Sequence, residues 1–238
     1  MSRSLLSDVA SKDIPDAVGR LLVIPIGALE AHGPHLPLGA DLLQAEATAR
    51  ELAELYPCFV APGVPYGVCP GSRVFPGTVS LQPSTLARLL ADIGEEFYRM
   101  GFRRFLVVSG HGAAAHMAAL RDGIGDVVRR HPEAKAAVLC DYEFVYELRG
   151  KVAPSTDGHA GLLETSRVMA LSPDLVGTER PVVDYRVHRF SVGDPSREEW
   201  PESVIGDTHG ASADIGQKIQ AHVRKRLLES VQAIFGGS

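Results

Sequence analysis

Leu21–Asp41 reads LLVIPIGALEAHGPHLPLGAD, and it carries both a fold signal and a chemical one. The first seven residues form an almost unbroken apolar run closed by glycine, as expected of a short strand buried on both faces. The remainder leaves that strand with Glu30, His32, His35 and Asp41, four side chains of metal-ligand type in close succession. Glu30 and His32 are two residues apart, so an extended chain points both to the same side. Asp41 returns after a Gly/Pro-rich turn and opens a segment with apolar residues at helical spacing, Asp41–Tyr56, which stops before Pro57.

Outward from this stretch the pattern repeats. Cys58–Ala61, Arg104–Ser109 and Lys135–Asp141 are further strand candidates. Ser84–Met100 is a predicted helix, with Ser84 as its cap and Leu86, Leu89, Leu90, Ile93 and Phe97 as one stripe. An alanine-rich helix is expected from about Ala113, another from His159 through Ala170, and a long amphipathic one over Ser212–Phe235. Pro62–Thr78, with four prolines and four glycines, is a loop long enough to suggest function. Alternating strands and helices imply an α/β fold with a mainly parallel sheet and helices on both faces. Without a repeat or a linker, residues 1–238 read as a single domain.

In such sheets functional groups collect beyond the carboxyl ends of strands. Glu30, His32 and Asp41 lie at one such end and suit a divalent cation. His111, in the turn Ser109-Gly110-His111-Gly112, lies at another. His116, five residues on, is read as an ordinary helix residue. In Asp157–Ser166 (DGHAGLLETS), His159 and Glu164 are five apart and do not share one helix face. Either His159 precedes the helix while Glu164 projects from it, or only one of them reaches the site. Glu164 stands among small and apolar neighbours, as an inward-facing carboxylate would; a salt bridge or a first-turn dipole contact is the alternative. His35 is a substrate contact or a loop residue. Arg73 is an anchor for a substrate carboxylate or phosphate, or a solvated arginine.

Composition excludes several classes. The net charge is −5 with both signs interspersed, so no basic stripe offers itself to nucleic acid. Cys58, Cys69 and Cys140 are odd in number and lack CxxC spacing, and are expected to be small buried hydrophobes. The resulting ligand set of oxygen and nitrogen suits Zn²⁺, Mn²⁺ or Fe²⁺ and gives no reason for a soft-metal site. Met1–Pro15 has no apolar stretch of signal-peptide length, and no run approaches the ~20 apolar residues that span a bilayer. A cytoplasmic protein without a membrane partner is expected.

Four runs, GALEAHGPHLPLGAD, PYG…FPGTVSL, SGHG and DGHAGLLETS, occur in that order within about residues 21–172 and together resemble the creatininase family. That family includes creatinine amidohydrolases, a mycofactocin-system peptidase and formylaminopyrimidine deformylases. The resemblance implies a metal-dependent hydrolase of an amide C–N bond in a small molecule or peptide end. It implies two metal ions bridged by Asp41, with Glu30 and His111 on one and His32 on the other. His159 matches a catalytic histidine that would shuttle a proton, and Glu164 is expected as metal ligand and catalytic carboxylate. A homo-oligomer, hexameric in some members, is implied as well. Ser109 replaces the usual asparagine, Ala113 a metal-binding glutamate of creatininase, and Gly71-Ser72-Arg73 an acidic residue and histidine. Trp200 is the sole tryptophan, where creatininase uses several around its substrate, which argues against creatinine. Hydrolysis of a keto-sugar or lactone ring, or a metal-binding scaffold without catalysis, are the alternative readings.

Overall fold

The computed structural model describes residues 4–16, 19–185, 190 and 193–236; part of the Met1–Pro15 segment discussed above lies outside them. Strand β1 (Leu21–Ile26) is buried along its whole length, as its continuous apolar run requires. It sits between β2 (Cys58–Val60) and β3 (Arg104–Ser109), and β3 pairs with β4 (Lys135–Cys140). All these pairings are parallel, in the order β2-β1-β3-β4. Ile26 pairs with Ser109 and Ser109 with Cys140, so three strands end level along one rim.

Helix α1 (Ala40–Leu55) follows β1, α2 (Pro83–Arg99) precedes β3, and α3 (Ala114–Arg130) joins β3 to β4. After β4 come α4 (Tyr142–Tyr146), α5 (Leu162–Leu171) and the long α6 (Ala213–Phe235). The step from β1 to β2 runs one way along the sheet, and the steps to β3 and β4 run the other way. Right-handed crossovers therefore place α1 on one face and α2 with α3 on the opposite one. Accordingly α2 packs on α3, while α1, α5 and α6 pack together. A separate two-residue antiparallel pair, β5 (Val182–Val183) with β6 (Gly206–Asp207), lies outside the main sheet. Among the described residues no helix is long and apolar enough to cross a membrane.

Three details differ from the sequence expectation. Ser84 does not cap α2. Pro83 takes the first helical position after Gln82, and no side chain caps the helix, in keeping with the preset φ of proline at that place. Leu89 is 38% exposed, beside the buried stripe of Leu86 and Leu90. Helix α5 begins at Leu162, because the Asp157 carboxylate accepts the N–H groups of Leu162 (2.7 Å) and Leu163 (3.1 Å). The loop before it is thereby kept out of the helix.

The onward connections of β1 and β3 leave in opposite directions, which opens a crevice between their carboxyl ends. Gly27 and Gly110 follow these two strands directly. A Cβ on Gly110 would lie 2.0 Å from the Asp41 carbonyl oxygen, and one on Gly27 would lie 2.3 Å from the Leu42 nitrogen. Only glycine admits so close an approach. The two glycines seat the first turn of α1 against both strand ends and put Asp41 into the crevice.

Candidate metal centre

Five buried ionisable side chains meet there: Glu30, His32, Asp41, His111 and Glu164, none more than 6% exposed. His111 Nδ1 lies 2.9 Å from Glu30 Oε2 and 3.2 Å from Asp41 Oδ2. His32 Nε2 lies 3.2 Å from Asp41 Oδ1 and 3.5 Å from Glu164 Oε1. Asp41 thus offers one oxygen to each imidazole. Despite these distances, Glu30 Oε2, Asp41 Oδ2 and His32 Nε2 make no hydrogen bond. Their directions converge on shared space instead of on one another. Buried polar atoms left in that condition cost about 1–3 kcal/mol each, unless a cation occupies the point they face.

The opposite ring nitrogens are already committed. His32 Nδ1 donates to the Glu30 carbonyl at 3.0 Å, and His111 Nε2 donates to the Val68 carbonyl at 3.0 Å. Such partners fix the tautomer and orientation of metal-binding imidazoles. The electrostatics agree. Burial raises Glu30 and Glu164, but His111 and His159 at the first and His32 at the second outweigh it and hold both carboxyls well below the usual range. Burial lowers His32 and His111, and the facing carboxylates drive both well above the ordinary imidazole value. The cluster calls for positive charge, and a divalent cation supplies it in concentrated form.

Among the described residues, the ligand atoms of His32, Asp41 and Glu164 lie within 4.8 Å of one another, as do those of Glu30, Cys69 and His111, and those of Glu30, His32 and His159. Neighbouring groups hold the carboxylates in place. Ser72 Oγ donates to Glu30 Oε1 at 2.5 Å, and Gln44 Nε2 donates to Glu164 Oε1 at 3.0 Å. The Ala160 N–H donates to Glu164 Oε2 at 2.7 Å. Ala160 has φ +52°, a left-handed conformation that costs a non-glycine residue about 1–2 kcal/mol. That turn lets one short segment deliver both the N–H and the His159 ring to the site. His159 Nε2 donates to the Ala31 carbonyl at 2.8 Å, and the ring centroid is 4.3 Å from that of His32. His159 therefore sits in the loop before α5 and Glu164 in its first turn, so both reach the centre.

His116 has a larger part than a helix residue would. Burial and then His111 lower it to about 3, so it is neutral. Its Nδ1 accepts the Val68 N–H at 3.1 Å, which leaves Nε2–H to donate to Ser109 Oγ at 3.1 Å. Ser109 in turn donates to the His111 carbonyl at 2.7 Å. The serine that stands where relatives carry asparagine thus braces the histidine turn. Over the cluster opens a cavity of about 220 Å³ whose walls include Pro70, Tyr142, Tyr146, His159 and Trp200. A larger cavity of about 470 Å³ beside α1 holds none of the clustered side chains.

With strand order, crevice and cluster in place, the chain can be set against known proteins. The family model for creatininase, described as creatinine amidohydrolase, matches residues 7–231. The chain belongs to the creatininase family. Creatinine amidohydrolase of Pseudomonas putida is 32% identical over 237 residues, covering 90% of each chain. The mycofactocin precursor peptide peptidase of Mycolicibacterium smegmatis is 31% identical over 219 residues, 85% of this chain and 81% of the relative. A solved mutant creatininase of Zn–Zn type superposes with a TM-score of 0.87 at 26% identity, over the full length of both chains.

The structure also places the remaining residues singled out in the sequence within this creatininase fold. Arg73, left open between substrate anchor and solvated arginine, has a side chain 60% exposed that pairs with Asp194 at 3.4 Å. Cys69, expected as a small buried hydrophobe, lies in one of the groups above with Glu30 and His111. His35, left open between contact and loop, is buried with Nε2 2.8 Å from Thr165 Oγ1. Burial and then Arg180 hold it down to about 4, so it is a neutral buttress behind α5. Trp200 reaches the site despite its distance in sequence, with its ring centroid 5.4 Å from that of His159. Sequence reasoning passed over Gln44 and Tyr142, noted Ser72 only as a departure from the family pattern, and read Cys69 as a small buried hydrophobe. None stands in a ligand-type motif; the only signal for two of them is their place in the long Pro/Gly loop.

Proposed function

We propose that this creatininase-family chain hydrolyses an amide C–N bond in a small molecule or at a peptide end, at a dinuclear centre held by Glu30, His32, Asp41, His111 and Glu164. Membership of the family makes it a metal-dependent amidohydrolase. The observation that carries the reading is Asp41, with one oxygen turned to the His111–Glu30 side and the other to the His32–Glu164 side. When bound, divalent ions supply ionised water at neutral pH and polarise a carbonyl oxygen. Zn²⁺, Mn²⁺ and Fe²⁺ all fit this set.

The chain's own groups do the rest. His159, with Nε2–H committed to Ala31, keeps Nδ1 to accept a proton and return it to the leaving nitrogen. Gln44 and the Ala160 N–H hold Glu164 beside that path. Trp200, Tyr142 and Tyr146 wall a cavity smaller than drug-sized ligand sites of roughly 300–1,000 Å³. That volume suits a compact molecule or one end of a peptide. We read residues 1–238 as one such hydrolase domain, cytoplasmic and assembled as a homo-oligomer.

The test is metal analysis of the purified chain joined to turnover of an amide panel. About two ions per chain, with activity lost in both Asp41→Ala and His111→Ala, is the expected result. Folded variants that keep both metal and activity would remove the assignment.

A further inference from the structure

The three cysteines are not alike. Cys58 and Cys140 belong to the main hydrophobic cluster. Cys69 is equally buried, at 1% exposure, yet belongs to none of the hydrophobic clusters. It lines the cavity over the centre, with its Sγ among the ligand atoms of Glu30 and His111. A small hydrophobe gains nothing from carboxylates and imidazoles as neighbours.

Its position is also fixed. The Val68 N–H is held by His116 and the Val68 carbonyl by His111. The Cys69 N–H donates to Ser80 Oγ at 2.9 Å, and the Leu81 N–H donates to the Gly67 carbonyl at 2.8 Å. The loop therefore delivers the thiol to one place. That place lies within 4.8 Å of a Glu30 carboxylate oxygen and a His111 ring nitrogen, and Glu30 Oε2 is buried without a hydrogen-bond partner.

We propose that Cys69 is a thiolate ligand of the metal ion held by Glu30, Asp41 and His111. The inference rests on the dinuclear reading above. With Cys69 that ion has four protein ligands, the closed tetrahedral set of structural zinc sites. The other ion keeps only His32, Asp41 and Glu164, which leaves it the open position of a catalytic site. Coordination removes the thiol proton to bulk water as the sulfur–metal bond forms; nothing is oxidised or reduced. A sulfur donor also biases this position toward zinc and away from manganese.

The experiment uses the full-length chain, stripped with chelator and reloaded with Co²⁺ or Zn²⁺. The cobalt form is expected to show thiolate-to-cobalt charge-transfer absorption in the near-ultraviolet. Cys69→Ser is expected to lose that band while keeping the visible ligand-field bands of bound cobalt, and Cys58→Ala is expected to retain it. X-ray absorption of the zinc form is expected to show a sulfur shell near ~2.3 Å, absent in Cys69→Ser. Affinity for one of the two zinc ions should fall by at least about 10–100-fold, the loss typical of removing even an outer-shell partner. Two bound cobalt ions without a charge-transfer band would overturn the proposal and leave the dinuclear centre standing. A wild-type chain that binds neither cobalt nor zinc would overturn both. Loss of the band in Cys58→Ala alone would assign the sulfur elsewhere and overturn the proposal too.

Discussion

Arg167 lies one turn beyond Glu164 on α5 with its side chain fully buried, and Asp141, at the end of β4, is its counter-charge. Arg167 Nη2 donates to Asp141 Oδ2 and to Thr48 Oγ1, each at 2.7 Å, and Nε donates to Gln220 Oε1 at 2.9 Å. The arginine thereby ties α5 to the sheet rim, to α1 and to α6. Replacing Asp141 by alanine leaves a guanidinium in the core without its anion. Breaking a buried pair in this way costs about 3–5 kcal/mol, whereas replacing both partners by apolar groups is often neutral. For a chain of this size each kcal/mol lowers Tm by roughly 2–4 °C, so the expected drop is about 6–20 °C. Urea unfolding under chelating conditions measures it without the contribution of metal binding. Asp141→Leu combined with Arg167→Met should recover most of the loss. A single variant that shifts stability by under about 1 kcal/mol, or a double variant no better than the single, would refute the reasoning.

Three further outcomes follow from the same geometry. In His159→Gln, kcat on an amide turned over by the wild type should fall by about 10²–10⁴-fold, with metal content unchanged in elemental analysis. Gly110→Ala forces a methyl group to within 2.0 Å of the Asp41 carbonyl oxygen; it should cost at least the ~1–3 kcal/mol of overpacking, and calorimetry together with metal content should both register it. Burial raises Asp157 to about 6, against the lowering by its two backbone hydrogen bonds. A carboxyl raised on folding stabilises at low pH and loses that contribution as the pH rises from its unfolded value through about 6. Asp157→Asn should therefore gain on the wild type between pH 4 and 7, and urea midpoints that keep a constant gap would contradict this.

The sheet was legible because β1, β2 and β3 are buried almost throughout and must be apolar at nearly every position. The ligands were legible for a related reason: Glu30, His32, Asp41 and His111 are packed into turns that leave such strands, where charged residues have no packing role. What the sequence hid depends on contacts between distant segments. Cys69 and Ser72 sit in a loop without periodicity, and hydrogen bonds to His111, His116 and Glu30 place them. Gln44 and Arg167 look like solvated helix residues until Glu164 and Asp141 are seen opposite them. The two-residue strands β5 and β6 and the five-residue α4 are too short to generate any period.

The double anchoring of Val68, one hydrogen bond to each of two histidines, divides the long loop into parts with different freedom to vary. Val68 is bound to the same imidazoles that orient the centre, with Gly67 and Cys69 pinned on either side of it by Leu81 and Ser80, so an exchange there that moves the backbone disturbs His111 directly. Pro70, Gly71 and the aromatic rings of α4 border the cavity without holding any ligand in place. New specificities can therefore arise by exchange at these rim positions while the hydrolytic machinery beneath stays intact, and a library confined to them should yield altered substrates far more often than inactive protein.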